Sequence, residues 1–225
     1  MATIMAKMAN RVVAARGRQA VRGRRVRAYV GLGANLGDAA ATLATGIRAL
    51  TGLPGVRLRG VSRLYATAPW GVTDQPEFRN AVVALDVPAG RDARTSALVL
   101  LESLKSLERA VGREDRERWG PRELDLDLLV FGRARFSTGR SDDARSNDPT
   151  KAGLPLTVPH PEARHRLFVL APLADLAPGL VPPGWGETVE TARRRQRTAE
   201  GPDAVRPIAG WSGGGWREPG EPGSA

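Results

Sequence analysis

Apolar and polar positions alternate along this chain with a period that changes from stretch to stretch, and each change of period marks an element. Residues 27–33, RAYVGLG, read as a buried strand ending in a glycine turn. Asp38 then offers an N-cap for a helix running to about Leu50, which Gly52 and Pro54 stop. Residues 56–67, VRLRGVSRLYAT, alternate apolar with basic side chains, the period of a half-exposed strand, and residues 78–87, FRNAVVALDV, form a more buried one. Over 91–111, Leu98, Leu101, Leu104, Leu107 and Val111 recur at three- to four-residue spacing, which predicts an amphipathic helix. A charged loop, GREDRERWGPR, leads into a last strand, RELDLDLLVF, at 122–131. Strand, helix, strand, strand, helix, strand is the split βαβ order of ferredoxin-like α+β folds, in which helices flank a mostly antiparallel sheet.

Outside that pattern the chain is less regular. Residues 133–153 are rich in Arg, Ser, Asp and Gly and read as a flexible insertion. A short strand or turn leading into a helix follows over 156–173, then a charged helix around 187–197 and a Gly/Pro-rich tail, expected to be disordered, over 212–225. One domain over 28–211 accommodates all the regular elements.

Charge changes the picture only at the N-terminus. The formal net charge is +10, but residues 1–27 hold eight of the 34 basic side chains and none of the 24 acids. The remainder, 26 basic against 24 acidic, is nearly neutral, so nucleic acid is not the expected partner of the domain. The basic segment has the composition of a transit peptide or an RNA-touching arm, and equally of a solvated, disordered leader. No apolar run reaches the roughly 18 residues a membrane span needs; 167–181 is interrupted by Asp175 and two prolines. With no cysteine and only His160 and His165, a metal must be held mainly by oxygen, which favours magnesium, manganese or calcium.

Two motifs fail on spacing or context. GLGANLG at 31–37 has Leu36 where a dinucleotide fingerprint needs its third glycine, so a tight turn with close backbone packing is the safer assignment. GWSGG at 210–214 formally matches a hydrolase elbow, but both histidines lie upstream of it.

The remaining chemistry sits in RELDLDLLVF. On a strand, residues two apart share a face about 6.6 Å apart, so Asp125 and Asp127 share one face and Leu124, Leu126 and Leu128 the other. A strand with one solvated face would look the same. The neighbouring Arg113, Arg116, Arg118 and Arg122 add what a metal–polyphosphate site requires: carboxylates to hold divalent ions and guanidinium groups to clamp the remaining charge. Ordinary surface salt bridges could use the same residues. A magnesium-dependent nucleotidyltransferase would also use paired aspartates, and a basic-tailed RNA-binding protein would bind through residues 1–27 with steep salt dependence.

RWGPRELDLDLLVFG, at 118–132, closely resembles the signature of the 6-hydroxymethyl-7,8-dihydropterin pyrophosphokinase family. VGLGANLGD (30–38), YATAPWG (65–71), DQPEFRNAVVAL (74–85) and LTVPHPEARHRLFVLAPL (156–173) agree in order and spacing, and VRPIAGW (205–211) also looks familial. The resemblance implies transfer of the β,γ-diphosphate of ATP to the pterin hydroxymethyl group, releasing AMP, with two Mg2+ ions, in folate biosynthesis. It implies metal binding by Asp125 and Asp127, and assembly of the reactive complex by Arg113 and Arg122. ATP-side contacts would come from Lys105, Glu108, Arg116, Arg118, Trp119, Thr157, His160 and Arg166, with Leu128 lining the adenine pocket. Thr67 and Asn80 would read the pterin edge, Phe78 and Phe168 would enclose its ring, and Pro69, Trp70 and Gly71 would form the adjoining loop. Such an enzyme is expected to be a cytoplasmic monomer acting on two small substrates.

Overall fold

The computed structural model describes residues 23–69, 74–111, 123–139 and 155–218. The expected order is present: β1 (Arg25–Ala34), α1 (Ala39–Thr51), β2 (Arg57–Val61), β3 (Leu64–Thr67), β4 (Phe78–Pro88), α2 (Ala93–Ala110) and β5 (Asp125–Phe131). Then come β6 (Phe136–Thr138), β7 (Leu156–Val158), a short 3-10 turn at Ala163–His165, α3 (Leu167–Leu176), α4 (Val189–Glu200), β8 (Val205–Ser212) and β9 (Gly215–Arg217). The main sheet runs β5-β1-β4-β3-β8-β9, with β2 also paired to β4, and its pairings are antiparallel. Its first four positions are the ferredoxin-like arrangement, with a C-terminal hairpin added beyond β3.

Alternation in the strands sends side chains to two different cores. Ala28, Val30, Leu32 and Ala34 of β1, with Val83, Leu85 and Val87 of β4, meet α1 and α2 on one face. Tyr29, Val82 and Ala84 point the other way, toward Leu170 and Leu173 of α3 and Val189 and Ala192 of α4. Both long helices start where an aspartate accepts a backbone N–H: Asp38 from Ala41 at 2.9 Å and Asp92 from Thr95 at 2.7 Å. Among the described residues no helix is long and apolar enough to cross a membrane.

Four expectations are corrected. The strand begins at Arg25 rather than 27, because Arg27 reaches Asp86 of β4 at 2.7 Å and is part of the sheet, not of a leader. The single strand expected over 56–67 is two, β2 and β3, broken at Ser62–Arg63. There Ser62 Oγ accepts the Val82 N–H at 2.9 Å, while the Arg63 backbone and guanidinium bond Asp175 of α3 at 3.0 and 2.6 Å. The expected insertion at 133–153 contains β6, which pairs with β7; residues 140–154 lie outside the described residues. The tail expected from 212 instead turns at Gly213–Gly214, both with positive φ, the conformation a two-residue hairpin loop requires. Two tryptophans give that hairpin its apolar area: the Trp211 and Trp216 rings meet edge-on with centroids 4.8 Å apart, and Trp216 Nε1 donates to Ala40 O of α1 at 3.0 Å.

Candidate active site

Cross-strand partners share a face. Asp125 lies opposite Gly33, Gly33 opposite Asn80, and Asn80 opposite Tyr65, so one row across β5, β1, β4 and β3 carries an acid, a gap, an amide and a phenol. Asp127 lies opposite Gly31 in the next row, and Phe78 opposite Thr67 beyond Asn80. With strands about 4.8 Å apart, the Asp125 and Asn80 backbones stand roughly 10 Å from each other across the glycine. The glycines let neighbours lean in over β1: a Cβ at Gly31 would meet Leu129 Cδ1 at 3.4 Å, and one at Gly33 would meet Asn80 Oδ1 at 3.2 Å. Close packing at 31–33 is as expected from GLGANLG, but the turn expected there is corrected: Gly31 and Gly33 lie inside β1, and the chain bends only at Leu36–Asp38.

On the amide side, Asn80 Nδ2 donates to Thr67 Oγ1 at 2.8 Å, with both residues buried. That bond leaves the Asn80 carbonyl oxygen over Gly33 as an acceptor and the Thr67 hydroxyl as a donor. Phe78, at the start of β4, and Phe168, in the first turn of α3, are both half-buried, and Pro69 is half-buried just after β3. Asn35, only 2% exposed, holds the entry to β4 in place by donating to Gln75 Oε1 at 3.0 Å and Pro76 O at 3.1 Å. The sequence reading did not single it out; the signal available was an amide inside a glycine-rich apolar run. Below Thr67 on the same face, the Tyr65 hydroxyl bonds both oxygens of Asp175 at 3.0 and 2.9 Å, and burial beside that carboxylate pushes the phenol's pKa up. Tyr65 thus stays a neutral donor that ties α3, and with it Phe168, to the sheet.

On the acid side, Asp125 and Asp127 are half-buried and the leucines between and beside them are buried, as the alternation predicts. The register slips between Tyr29 and Val30, making Leu129 the extra residue of a bulge, so the acidic face runs straight into the second core. Leu128 is corrected: its side chain is buried with α1 and α2 on the opposite face, so it does not line a pocket beside the acids. By alternation its N–H and C=O face the open edge of β5, which is what it can offer a ligand. Lys105 and Glu108 are also corrected. They lie 4% and 1% exposed beneath the strand and bond the Leu126 backbone instead of facing the groove.

β7 brings the remaining groups alongside. Thr157 Oγ1 lies 3.1 Å from Ser137 Oγ across the small sheet, and the His160 N–H donates to the Leu129 carbonyl at 2.8 Å. His160 Nδ1 accepts the Glu162 N–H at 3.3 Å, so in the neutral ring Nε2 carries the proton and is a donor. The Arg166 guanidinium lies 3.7 Å from Glu162 and 5.8 Å from the centre of the Phe168 ring, which joins the two sides of the site. Trp70, Gly71, Arg113, Arg116, Arg118, Trp119 and Arg122 lie outside the described residues.

Among the described residues no cluster of three or more acids, histidines and cysteines could cage a metal. Two strand carboxylates suit an ion that completes its shell with phosphate oxygens and water, which is how magnesium is usually bound. The donor set therefore fits Mg2+ brought with a nucleotide.

Comparison with known proteins shows the family of the chain. The family model for 7,8-dihydro-6-hydroxymethylpterin-pyrophosphokinase matches residues 29–178, from β1 through α3. A 2-amino-4-hydroxy-6-hydroxymethyldihydropteridine pyrophosphokinase of Methylorubrum extorquens is 43% identical over 169 residues, 74% of this chain and 90% of the relative. One from Pseudomonas aeruginosa is 41% identical over 154 residues, 68% of this chain and 82% of the relative. Among solved structures, wild-type HPPK-DHPS of Plasmodium falciparum superposes with a TM-score of 0.60 at 13% identity, covering 84% of this chain; this chain spans 45% of that longer protein. That likeness concerns the fold alone. Taken with the co-linear motifs and the face that unites Asp125, Asp127, Asn80 and Thr67, these matches show that the chain belongs to the 7,8-dihydro-6-hydroxymethylpterin-pyrophosphokinase family.

Proposed function

We propose that this sheet face is where the chain performs its family's reaction, transfer of a diphosphate from ATP to the hydroxymethyl group of 6-hydroxymethyl-7,8-dihydropterin in folate biosynthesis. The observation that carries the site assignment is the row Asp125, Gly33, Asn80, which sets acids and amide on one face with a residue lacking a side chain between them. Asp125 and Asp127 would hold two magnesium ions, which supply charge neutralisation on the triphosphate. His160 Nε2 and the guanidinium of Arg166 donate to phosphate oxygens, and Arg113, Arg116, Arg118 and Arg122 clamp the rest of that charge, with Trp119 and Thr157 beside them. Asn80 and Thr67 read the pterin edge while Phe78 and Phe168 supply apolar area to its two faces, with Pro69, Trp70 and Gly71 at the mouth.

In the reaction the pterin hydroxymethyl oxygen forms a bond to the β-phosphorus, the bond from that phosphorus to the α,β-bridging oxygen breaks, and AMP leaves with its electron pair. The hydroxyl proton is released. No side chain in the described groove is placed as an evident general base, so positioning and charge neutralisation carry the rate. In this reading the chain works as a cytoplasmic monomer, with both substrates on one sheet face.

Incubation with ATP, Mg2+ and 6-hydroxymethyl-7,8-dihydropterin should give AMP and the pterin diphosphate. Release of pyrophosphate or ADP in their place would overturn the reading, the former in favour of a nucleotidyltransferase. A second prediction concerns Gly33→Ala. Its Cβ would sit 3.2 Å from Asn80 Oδ1, so the amide must give by a few tenths of an ångström. The dissociation constant for the pterin should rise about tenfold with ATP affinity unchanged, as read by pterin fluorescence titration.

A further inference from the structure

Among the described residues β5 is the outermost strand of the main sheet and pairs only with β1, so every second residue turns its N–H and C=O outward. Leu126, the residue between the two aspartates, is one of these. Its N–H donates to Glu108 Oε1 at 2.6 Å, and its carbonyl accepts from Lys105 Nζ at 2.9 Å. Lys105 Nζ also donates to Glu108 Oε1 at 2.7 Å, which closes a triangle of charge-assisted bonds. Lys105 and Glu108 stand one helical turn apart on α2 and are almost wholly buried.

We infer that this pair is a hydrogen-bonding substitute for a missing neighbour strand, and that its role is to position the two aspartates for metal binding. One acceptor and one donor, one helical turn apart, are what the backbone of an adjacent strand would have presented to Leu126. The Leu126 N–H belongs to the peptide plane that begins at Asp125, and the Leu126 C=O to the plane that ends at Asp127. Glu108 therefore fixes the plane on one side of the motif and Lys105 the plane on the other, while the Leu126 side chain is held in the core between α1 and α2. The two carboxylates project from Cα atoms whose flanking planes are both tied down. A buried ion pair is a costly way to fill volume, and a pair of methionines would fill similar space. What methionines cannot do is bond Leu126. Neither Lys105 nor Glu108 is exposed enough to meet a nucleotide directly, so both are positioning residues and not catalytic ones.

This inference rests on the reading that Asp125 and Asp127 hold the metal, and the experiment separates the two. Mn2+ binding to the complex with α,β-methylene-ATP is followed by electron paramagnetic resonance, and amide exchange at Leu126 by NMR, in the full chain. In Lys105→Met/Glu108→Met, Leu126 exchange should rise on the order of tenfold or more, and Mn2+ affinity should fall about 10- to 100-fold. Pterin affinity should not change. Unchanged Mn2+ affinity, or an unchanged Leu126 exchange rate, overturns the proposal. If that variant does not fold, Lys105→Met/Glu108→Gln keeps an acceptor for the Leu126 N–H; a severalfold loss of Mn2+ affinity is then expected, and none overturns the proposal. In Asp125→Asn/Asp127→Asn the Leu126 amide should stay protected while Mn2+ binding is lost. Retained Mn2+ binding there would overturn the metal reading itself, with the clamp's effect on exchange still measurable on its own.

Discussion

Asp127→Asn, alone or with Asp125→Asn, should lower turnover on the order of a thousandfold or more while the pterin dissociation constant stays at its wild-type value. The asparagine keeps the shape of the side chain and removes its charge, so the strand and its two cores are undisturbed. The expected size follows from the ligand set: no cluster of three or more acids, histidines and cysteines is present among the described residues, so each aspartate carries a large share of what holds the cations against the phosphates. Asn80 and Thr67, the residues proposed to read the pterin, stand about two strands away and are not touched by the substitution. Rate of AMP formation at saturating substrates, set beside a pterin fluorescence titration, separates the two effects. Loss of pterin affinity together with turnover would mean that the variant had disturbed the sheet, and wild-type turnover would remove the aspartates from the mechanism.

Lys105→Met alone should destabilise the fold by about 3–5 kcal/mol, which in a domain of this size lowers Tm by roughly 10 °C. Glu108 is 1% exposed, and its carboxylate would lose the cation 2.7 Å away while remaining out of water. The double variant Lys105→Met/Glu108→Met removes both charges, and should be more stable than the single one although it has lost more polar contacts. That order is the signature of a buried carboxylate that depends on its cation. Thermal melts of the two variants and the parent measure it. A single variant as stable as the parent would show that the buried carboxylate does not depend on Lys105.

The same two residues mark where the sequence stopped being informative. Lys105 and Glu108 lie at polar positions of an amphipathic helix, and periodicity assigns such positions to solvent or to a groove. Their burial depends on β5 being an edge strand with outward polar groups, which is a property of strand order and not of the helix. Leu128 is a parallel case, since its proximity in sequence to the aspartates suggests the pocket while alternation sends its side chain to the opposite core. The ferredoxin-like order itself was legible because β1, β4 and β5 each read as short, largely apolar strand-like runs and because Asp38 and Gly52 bracket α1. The break at Ser62–Arg63 was not, because the apolar alternation continues through it; it arises from the distant Asp175. The terminal hairpin was legible in principle, with a Gly–Gly turn between two tryptophans, but its glycine-rich composition favoured a tail. Of the proposed site, the carboxylates were singled out by the alternation of β5 and the pterin-side residues by the co-linear motifs. Gly31, Gly33 and Asn35 act by what they leave open or hold in place, and a residue's absence of side chain has meaning only once its neighbours are known.

The proposed site holds the metal–nucleotide at Asp125 and Asp127 beside a pterin bound at Asn80 and Thr67. Its most direct test is the NMR spectrum of 6-hydroxymethyl-7,8-dihydropterin bound with α,β-methylene-ATP and Mn2+. The hydroxymethyl protons should be broadened strongly by the paramagnetic ion, and the broadening should vanish in Asp125→Asn/Asp127→Asn while the pterin stays bound. Sharp hydroxymethyl resonances in the wild-type complex, with both ligands demonstrably bound, would show that Asp125 and Asp127 do not hold the ion beside the pterin.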